Sequence, residues 1–220
     1  MNNKFKHNMQ AQVNIKYISD DMPYAEATAL QEELVQNIIE HTGPETLIFC
    51  EHAPVYTAGT SANIAQDHLG NNDIPLIKTG RGGEITYHGT GQRVLYPLLD
   101  LRNRRQDLRK YICDLQTWII NTLKHFNIEA YGDDLVGVWV DTDKGPCKIA
   151  AIGVRVRKWV TFHGVALNIS PNLEHYKGII PCGIHDKGVT SMAALGFTGT
   201  MKDVDNILKT EFEKQFHCKL

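Results

Sequence analysis

Cys182 sits in Gly178-Ile179-Ile180-Pro181-Cys182-Gly183-Ile184, with a proline before it and a glycine after it. The proline fixes the approach of the chain, and the glycine leaves backbone N–H groups around the sulfur accessible. That arrangement suits a nucleophile whose intermediate oxyanion needs donors; the competing reading is a quiet buried thiol. A free thiol has a pKa of roughly 8.5, so at neutral pH it needs a base or a nearby cation to become a thiolate. His185 is close in sequence, His88 and His163 are further candidates, and lysine is the less usual choice. Lys148 heads an apolar strand pattern whose alternate positions are Ala150, Ile152, Val154 and Val156. Such a lysine either reaches solvent at the end of a sheet or is held in a dry site where its ammonium form is disfavoured. Its neighbour Cys147 should point to the opposite face of the strand. A dyad with Lys148 therefore needs a thiol from elsewhere, and Cys182 is the best candidate.

Arg81 to Gln92 reads RGGEITYHGTGQ, in which four of twelve residues are glycine. A flexible linker would mix glycine with serine, not with arginine, tyrosine and histidine. Glycine lets a backbone approach a ligand closely, so the segment reads as a loop shaped around a substrate; a decorated β-turn is the bland alternative. His163-Gly164-Val165-Ala166-Leu167-Asn168 places small residues in a strand predicted to pair with that of Lys148. His163, Gly164 and Ala166 would then floor one cavity with room for an apolar chain. Ordinary sheet packing is the other reading.

These residues need a scaffold. Asp20-Asp21-Met22-Pro23 predicts a helix start, and Leu30, Leu34 and Ile38 continue it to a stop before Gly43-Pro44. Thr46 to Cys50 reads as a buried strand, EHAPVYTAGTS as a loop, and Ile74 to Ile77 and Val94 to Leu99 as strands. Leu108, Ile112, Leu115, Ile119 and Leu123 mark one face of a long helix. Leu135 to Val140, Lys148 to Val156 and Val160 to Ile169 read as strands, the last two joined by a hairpin at Arg157-Lys158. The 170–188 segment reads as irregular. Thr190 is expected to cap a short helix ending at Gly196, and Val204, Ile207, Leu208, Phe212 and Phe216 stripe a final helix. Short turns between neighbouring strands favour antiparallel pairing. The expected fold class is α+β: a single domain with a mixed, largely antiparallel sheet packed with helices, and residues 1–12 as a loose tail.

Composition excludes several classes. The chain has 220 residues, 42% hydrophobic and 22% charged, with a formal charge of −2. That is ordinary for a globular protein and gives no overall field for nucleic acid or anionic membrane. The five cysteines are odd in number and widely spaced, with no CxxC pair, so neither a disulfide framework nor a zinc site is expected. Cys50 and Cys113 read as small buried hydrophobes. No apolar run approaches a membrane span and no signal peptide is visible, so a cytoplasmic location is expected. Nucleotide loops such as GxxxxGK[ST] and GxGxxG are absent, as is GxSxG.

Taken together, five blocks in order resemble the octanoyltransferases of lipoate biosynthesis, within the biotin/lipoate protein ligase-like superfamily. They are Glu51–Gly59 (EHAPVYTAG), RGGEITYHGTGQ with Tyr96-Pro97, Lys148–Arg155 (KIAAIGVR), His163–Asn168 (HGVALN) and Pro181–Ile184 (PCGI). The resemblance spans about residues 20 to 215. Thr90 departs from it, standing where the family more often has proline. The resemblance implies an α+β fold like that of the biotin and lipoate protein ligases and a dyad carried onto Cys182 and Lys148. It implies an acyl pocket lined by Arg81, Gly82, Gly83, Glu84, Ile85, Thr86, Tyr87 and His88, by Ala151, Ile152 and Gly153, and by Gly164, Val165 and Ala166. It also implies octanoyl-acyl carrier protein as donor, with lipoyl domains of 2-oxoacid dehydrogenase complexes and the glycine cleavage H protein as acceptors. A thioester is already activated, so no cofactor, ATP or metal is expected, nor nucleic acid or membrane as partner.

Acidic partners would suit the basic cluster Arg102, Arg104, Arg105, Arg109 and Lys110, and Arg155 with Arg157, which alternation places opposite Lys148. A solvated helix start and an exposed sheet face would carry the same charges. Three rivals make different predictions. An ATP-dependent lipoate ligase on the same fold would need no nucleophilic cysteine and commonly carries an accessory domain. A non-catalytic module binding acyl carrier protein or lipoyl domains would never become acylated. An RNA-binding protein would show salt-sensitive RNA affinity.

Overall fold

The computed structural model describes residues 11–18, 20–70, 73–132, 136–179 and 188–220. Its centre is an eight-stranded mixed sheet built from β2 (Asn14–Tyr17), β3 (Thr46–Cys50), β7 (Gln92–Leu98), β8 (Tyr131–Gly132), β9 (Val138–Thr142), β10 (Gly145–Arg157), β11 (Val160–Asn168) and β12 (Gly188–Val189). The order is β2-β3-β7-β11-β10-β9-β8, with β12 added beside β10. All neighbours are antiparallel except β2 with β3 and β12 with β10. A smaller sheet, β5 (Leu76–Lys78), β4 (Val55–Ala58) and β6 (Ile85–His88), carries the second half of the glycine-rich segment. The expected α+β class, with a largely antiparallel mixed sheet and helices packed on it, is the observed one.

The two faces of the large sheet bury different helices. Helix α3 (Leu108–Lys124) and helix α4 (Met201–Phe216) place Leu115, Trp118, Leu208 and Phe212 against Leu95, Ile149 and Leu167. Trp118 is fully buried and its indole N–H donates to the Leu208 carbonyl at 2.9 Å, so its polar edge is satisfied. Helix α1 (Tyr24–Ile39) covers the other face, packing Val35 and Ile38 near Ile48, Leu98 and Phe162, and a one-turn helix α2 (Ile64–Asp67) follows β4. Burying a side chain of this size stabilises by about 1.5–3 kcal/mol. The helix ends follow local chemistry: Asp107 accepts from the Lys110 amide at α3, and Thr200 with Asp203 forms a capping box at α4.

Several elements differ from expectation. Val55–Ala58 is a strand, not loop, because its backbone pairs on both sides, with β5 and β6. The strand at Ile74–Ile77 begins instead at Leu76, and Val136 lies before β9 and is exposed. Ala11–Gln12 is not tail but a short strand, β1, paired with β13 (Cys218–Lys219). Thr190 caps nothing; its amide donates to the Lys148 carbonyl, and the turn at Ala193–Leu195 is held by Ser191 Oγ accepting from Ala194. Cys113 is exposed on α3, whereas Cys50, Cys147 and Cys218 are buried and free.

One irregularity matters most. The β9–β10 register runs Cys147↔Val140, Lys148↔Trp139 and then Ala150↔Val138, leaving Ile149 as an extra residue. Such a bulge shifts the alternation by one. Cys147 and Ile149 enter the core under α3 and α4 before it; Ala150, Ile152 and Val154 enter the same core after it. Lys148 therefore shares its face with Ala151, Gly153 and Arg155. Uninterrupted alternation would have grouped it with Ala150, Ile152 and Val154 and set it opposite Arg155 and Arg157; the extra residue overturns both groupings. Cys147 and Lys148, which precede the bulge, still point apart.

Candidate active site

A cavity of about 360 Å³ lies along the edge of β10. Beyond Ala150 the β9 ladder stops, and the glycine-rich loop takes its place: the Gly82 amide donates to the Val154 carbonyl at 2.9 Å. The loop can lie this close because it carries little side-chain bulk. A Cβ on Gly59 would stand 2.1 Å from the Gly83 carbonyl oxygen, and Gly83 itself has φ +86. Arg81 fastens the loop from within, donating to the Thr57 carbonyl at 2.6 Å, to Thr57 Oγ1 at 2.9 Å and to the Gly82 carbonyl at 3.1 Å.

Of the wall residues that the resemblance implies, all but Tyr87 line this cavity. Arg81, Gly82, Gly83, Glu84, Ile85, Thr86 and His88 line the cavity, with Ala151, Ile152 and Gly153 from β10 and Gly164, Val165 and Ala166 from β11. Gly153 and Gly164 stand opposite each other in the ladder, as do Ala151 and Ala166. Tyr87 goes the other way. Strand alternation turns it behind β6, where it packs against Tyr56 and Tyr176 and its hydroxyl meets His175 Nδ1 at 2.7 Å. Tyr24, Tyr96, Leu108, Ile112 and Val136 also line the cavity. They come from α1, β7, the first turns of α3 and the approach to β9, and no local pattern links them.

Lys148 is buried, 7% exposed, and lines the cavity. Its Nζ donates to the Val136 carbonyl at 3.3 Å and lies 4.7 Å from the centre of the Trp139 ring, its cross-strand partner. Cys147 faces the core and its Sγ lies 3.5 Å from Thr142 Oγ1. Cys147→Ala is accordingly expected to leave activity within about twofold of the parent while costing on the order of 1 kcal/mol of stability. Steady-state kinetics and chemical unfolding of the variant check both; an inactive, folded variant would refute the separation. Cys182 and His185 lie outside the described residues. The flanks of their segment are described: Ile179 bridges to His68, and Gly188 and Val189 pair with Cys147 and Lys148.

Three histidines near the cavity are held neutral. His52 donates from Nδ1 to the Met22 carbonyl at 2.8 Å and accepts at Nε2 from the Tyr96 hydroxyl at 2.6 Å. Burial lowers its pKa. His88 is pushed well below the ordinary histidine value by burial first, then by His52, Arg81 and His163. Its tautomer follows from Gln92. That amide nitrogen faces the Tyr87 carbonyl, Asn168 Oδ1 and the Tyr176 hydroxyl, so Gln92 Oε1 faces His88 Nδ1 at 2.7 Å and must accept from it. His88 Nε2 is left as an acceptor. His163 is lowered to about 4, by burial and then by Arg81 and Arg155. Its φ of +56 is unusual for a non-glycine strand residue, and its amide donates to Gln31 Oε1 at 2.9 Å. Among the described residues, His163 Nδ1 and Glu84 Oε2 are buried without hydrogen-bond partners.

The basic clusters are less available than their sequence suggests. Arg102 pairs with Asp100, Arg104 with Glu45, Arg105 with Asp107, and Lys110 with Asp114. Arg155 and Arg157 share Glu32 and lie over Phe162. The one-to-one pairs contribute little field at a distance, whereas Arg155 and Arg157 over a single carboxylate keep a net positive charge. At Thr90, the hydroxyl donates to Asp21 Oδ1 at 2.9 Å, so a side-chain bond ties down this turn.

A family model described as "Lipoyl protein ligase A/B catalytic domain" matches residues 23–213. The chain belongs to this family. It is 49% identical over 214 residues to an octanoyltransferase of Bartonella quintana, covering 93% of this chain and 87% of that protein. It is 52% identical over 205 residues to an octanoyltransferase of Parvibaculum lavamentivorans, covering 90% and 91%. This lipoyl protein ligase A/B family member is thus an acyltransferase. Solved structures agree in fold. A bipartite lipoate protein ligase from Thermoplasma acidophilum aligns with TM-score 0.70 at 14% identity, covering 96% of this chain and 86% of its own. A biotin protein ligase from Aquifex aeolicus aligns with TM-score 0.56 at 14% identity, covering 93% and 70%. Among the described residues, no group of histidine, cysteine, aspartate and glutamate is arranged to hold a metal ion, and no helix is long and apolar enough to cross a membrane.

Proposed function

We propose that this acyltransferase moves an octanoyl group from acyl carrier protein to the ε-amine of a lysine on lipoyl domains, through a thioester on Cys182. The observation that carries the reading is the buried Lys148 amine in the wall of a 360 Å³ cavity, in a chain about half identical to octanoyltransferases. A cavity of that size is in the range of small-molecule sites, and glycine and alanine on β10 and β11 leave width for an alkyl chain.

The steps balance with one base. Lys148 takes the Cys182 proton, giving thiolate and ammonium. The thiolate attacks the octanoyl thioester carbonyl, and the tetrahedral intermediate collapses to octanoyl-Cys182. The carrier's phosphopantetheine sulfur leaves and takes the proton back from Lys148. The neutral acceptor amine then attacks the new thioester, gives a proton to Lys148, and expels the Cys182 thiolate as the amide forms. A thioester supplies the driving force, so no nucleotide is consumed. Acceptors would be lipoyl domains of 2-oxoacid dehydrogenase complexes and the glycine cleavage H protein, and the setting the cytoplasm.

Intact-protein mass spectrometry tests this. Mixed with octanoyl-acyl carrier protein and no acceptor, the protein should gain one octanoyl group that hydroxylamine removes and Cys182→Ala lacks. Transfer to a lipoyl domain without any such adduct would take Cys182 out of the mechanism, and transfer from free octanoate and ATP would favour a ligase.

A further inference from the structure

We propose that Gly137 and Gln116 are positioning residues for Lys148, acting through the Val136–Gly137 peptide; the proposal rests on the catalytic reading of Lys148 above. The side chain of Lys148 passes close against residue 137, where any side chain would crowd its stem. A Cβ there would stand 3.0 Å from Lys148 Cε and 3.3 Å from Cδ, with the Ala150 carbonyl oxygen 3.1 Å away on another side. The backbone at Gly137 has φ +143, which L side chains rarely adopt. One residue earlier, the Val136 carbonyl receives the Lys148 amine at 3.3 Å.

The turn is in turn fixed from α3. Gln116, itself buried, donates from Nε2 to the Gly137 carbonyl at 3.0 Å. The two consecutive carbonyls thus have separate tasks: Gly137 O, in the next peptide, anchors the turn to a helix, and Val136 O receives the amine. The Trp139 ring closes the cradle from across the ladder. A proton carrier must stand within hydrogen-bond reach of both sulfur and incoming amine. A turn that sets where a four-carbon stem ends decides that reach, and misplacing a catalytic group by about 1 Å can cost on the order of 10²-fold.

Kinetics of two variants and labelling of Lys148 test the cradle. In the parent, Gly137→Ala should lower kcat for octanoyl transfer by about 10²-fold with the donor KM little changed. In a Lys148→Ala background the same substitution should cost little further, because it acts through the residue already removed. Equal fractional losses in the two backgrounds would overturn the proposal. Gln116→Met, nearly the same size but without a donor, is the milder variant should Gly137→Ala fold poorly; it should lower kcat by about fivefold, the equivalent of one hydrogen bond. Labelling of Lys148 by an amine-reactive reagent, read by peptide mass spectrometry, needs no turnover. Either folded variant should label several-fold faster than the parent, and unchanged labelling in both would overturn the cradle. If Lys148→Ala retains normal turnover, the catalytic reading fails instead, and the labelling still decides whether Gly137 and Gln116 hold the amine.

Discussion

Replacing Lys148 by alanine is expected to lower the turnover of octanoyl transfer by about 10²–10⁴-fold, the span that a positioned acid–base group supplies. The loss should fall on kcat for both half-reactions, because in the proposed mechanism the same amine activates the thiol, protonates the leaving sulfur and accepts the acceptor's proton. The fold should survive. Lys148 faces a cavity, not the core, so truncation leaves no buried charge behind and its place in the β10 ladder depends on backbone alone. Thermal unfolding of the variant within a few degrees of the parent, alongside single-turnover rates for acylation and for transfer, would separate chemistry from folding. Near-normal turnover would remove Lys148 from the mechanism.

Acid should destabilise the protein well before its carboxylates titrate. His163 has a folded-state pKa of about 4 against 6.5 when unfolded, because burial and the nearby Arg81 and Arg155 disfavour the imidazolium. A group depressed on folding binds more protons in the unfolded chain, so stability falls as pH falls. The contribution is whole above pH 6.5, declines through the window to about 4, and is gone below it. The gap corresponds to about 3 kcal/mol from His163, and His88 and His52 act in the same direction. Urea unfolding at pH 7 and pH 4 should show the fall, and His163→Gln should remove about that much of it. A pH dependence identical in the variant would mean that His163 is not buried neutral.

Much of the scaffold was legible because its signals are local. The stripes Leu115–Ile119–Leu123 and Val204–Leu208–Phe212 made α3 and α4 plain, and the short turns around Thr142–Gly145 and Arg157–Val160 announced antiparallel pairing. β4 was hidden because four strand residues are flanked by proline, glycine and threonine, and only its two partners make it a strand. The glycine-rich loop of the cavity wall was readable from glycine mixed with large polar residues and the β11 floor from its small residues, whereas Ala151–Gly153 came only from the resemblance. Tyr24, Leu108, Ile112 and Val136 were not, since they meet the wall only through tertiary packing. Tyr87 could have been turned away from the cavity by alternation within Ile85–His88, had that stretch been read as strand. The pairing of Arg104 with Glu45 joins residues 59 positions apart, so the neutralisation of the basic cluster had no local trace.

The extra residue at Ile149 has a consequence for how this strand tolerates change. Lys-Ile-Ala-Ala-Ile-Gly-Val looks like one amphipathic ribbon, but it is two ribbons spliced out of phase. If the splice were smoothed with Ile149 drawn into regular pairing, the Lys148 amine would swing beneath α3 and α4, into a layer made of Trp118, Leu208 and Phe212, where a charge is strongly disfavoured. Pairing, more than side-chain identity, thus sets what this stretch tolerates: a conservative swap at Ala150 perturbs one contact, and loss of Ile149 itself would close the bulge with Lys148 still on the cavity face, whereas drawing Ile149 into the ladder turns over everything upstream.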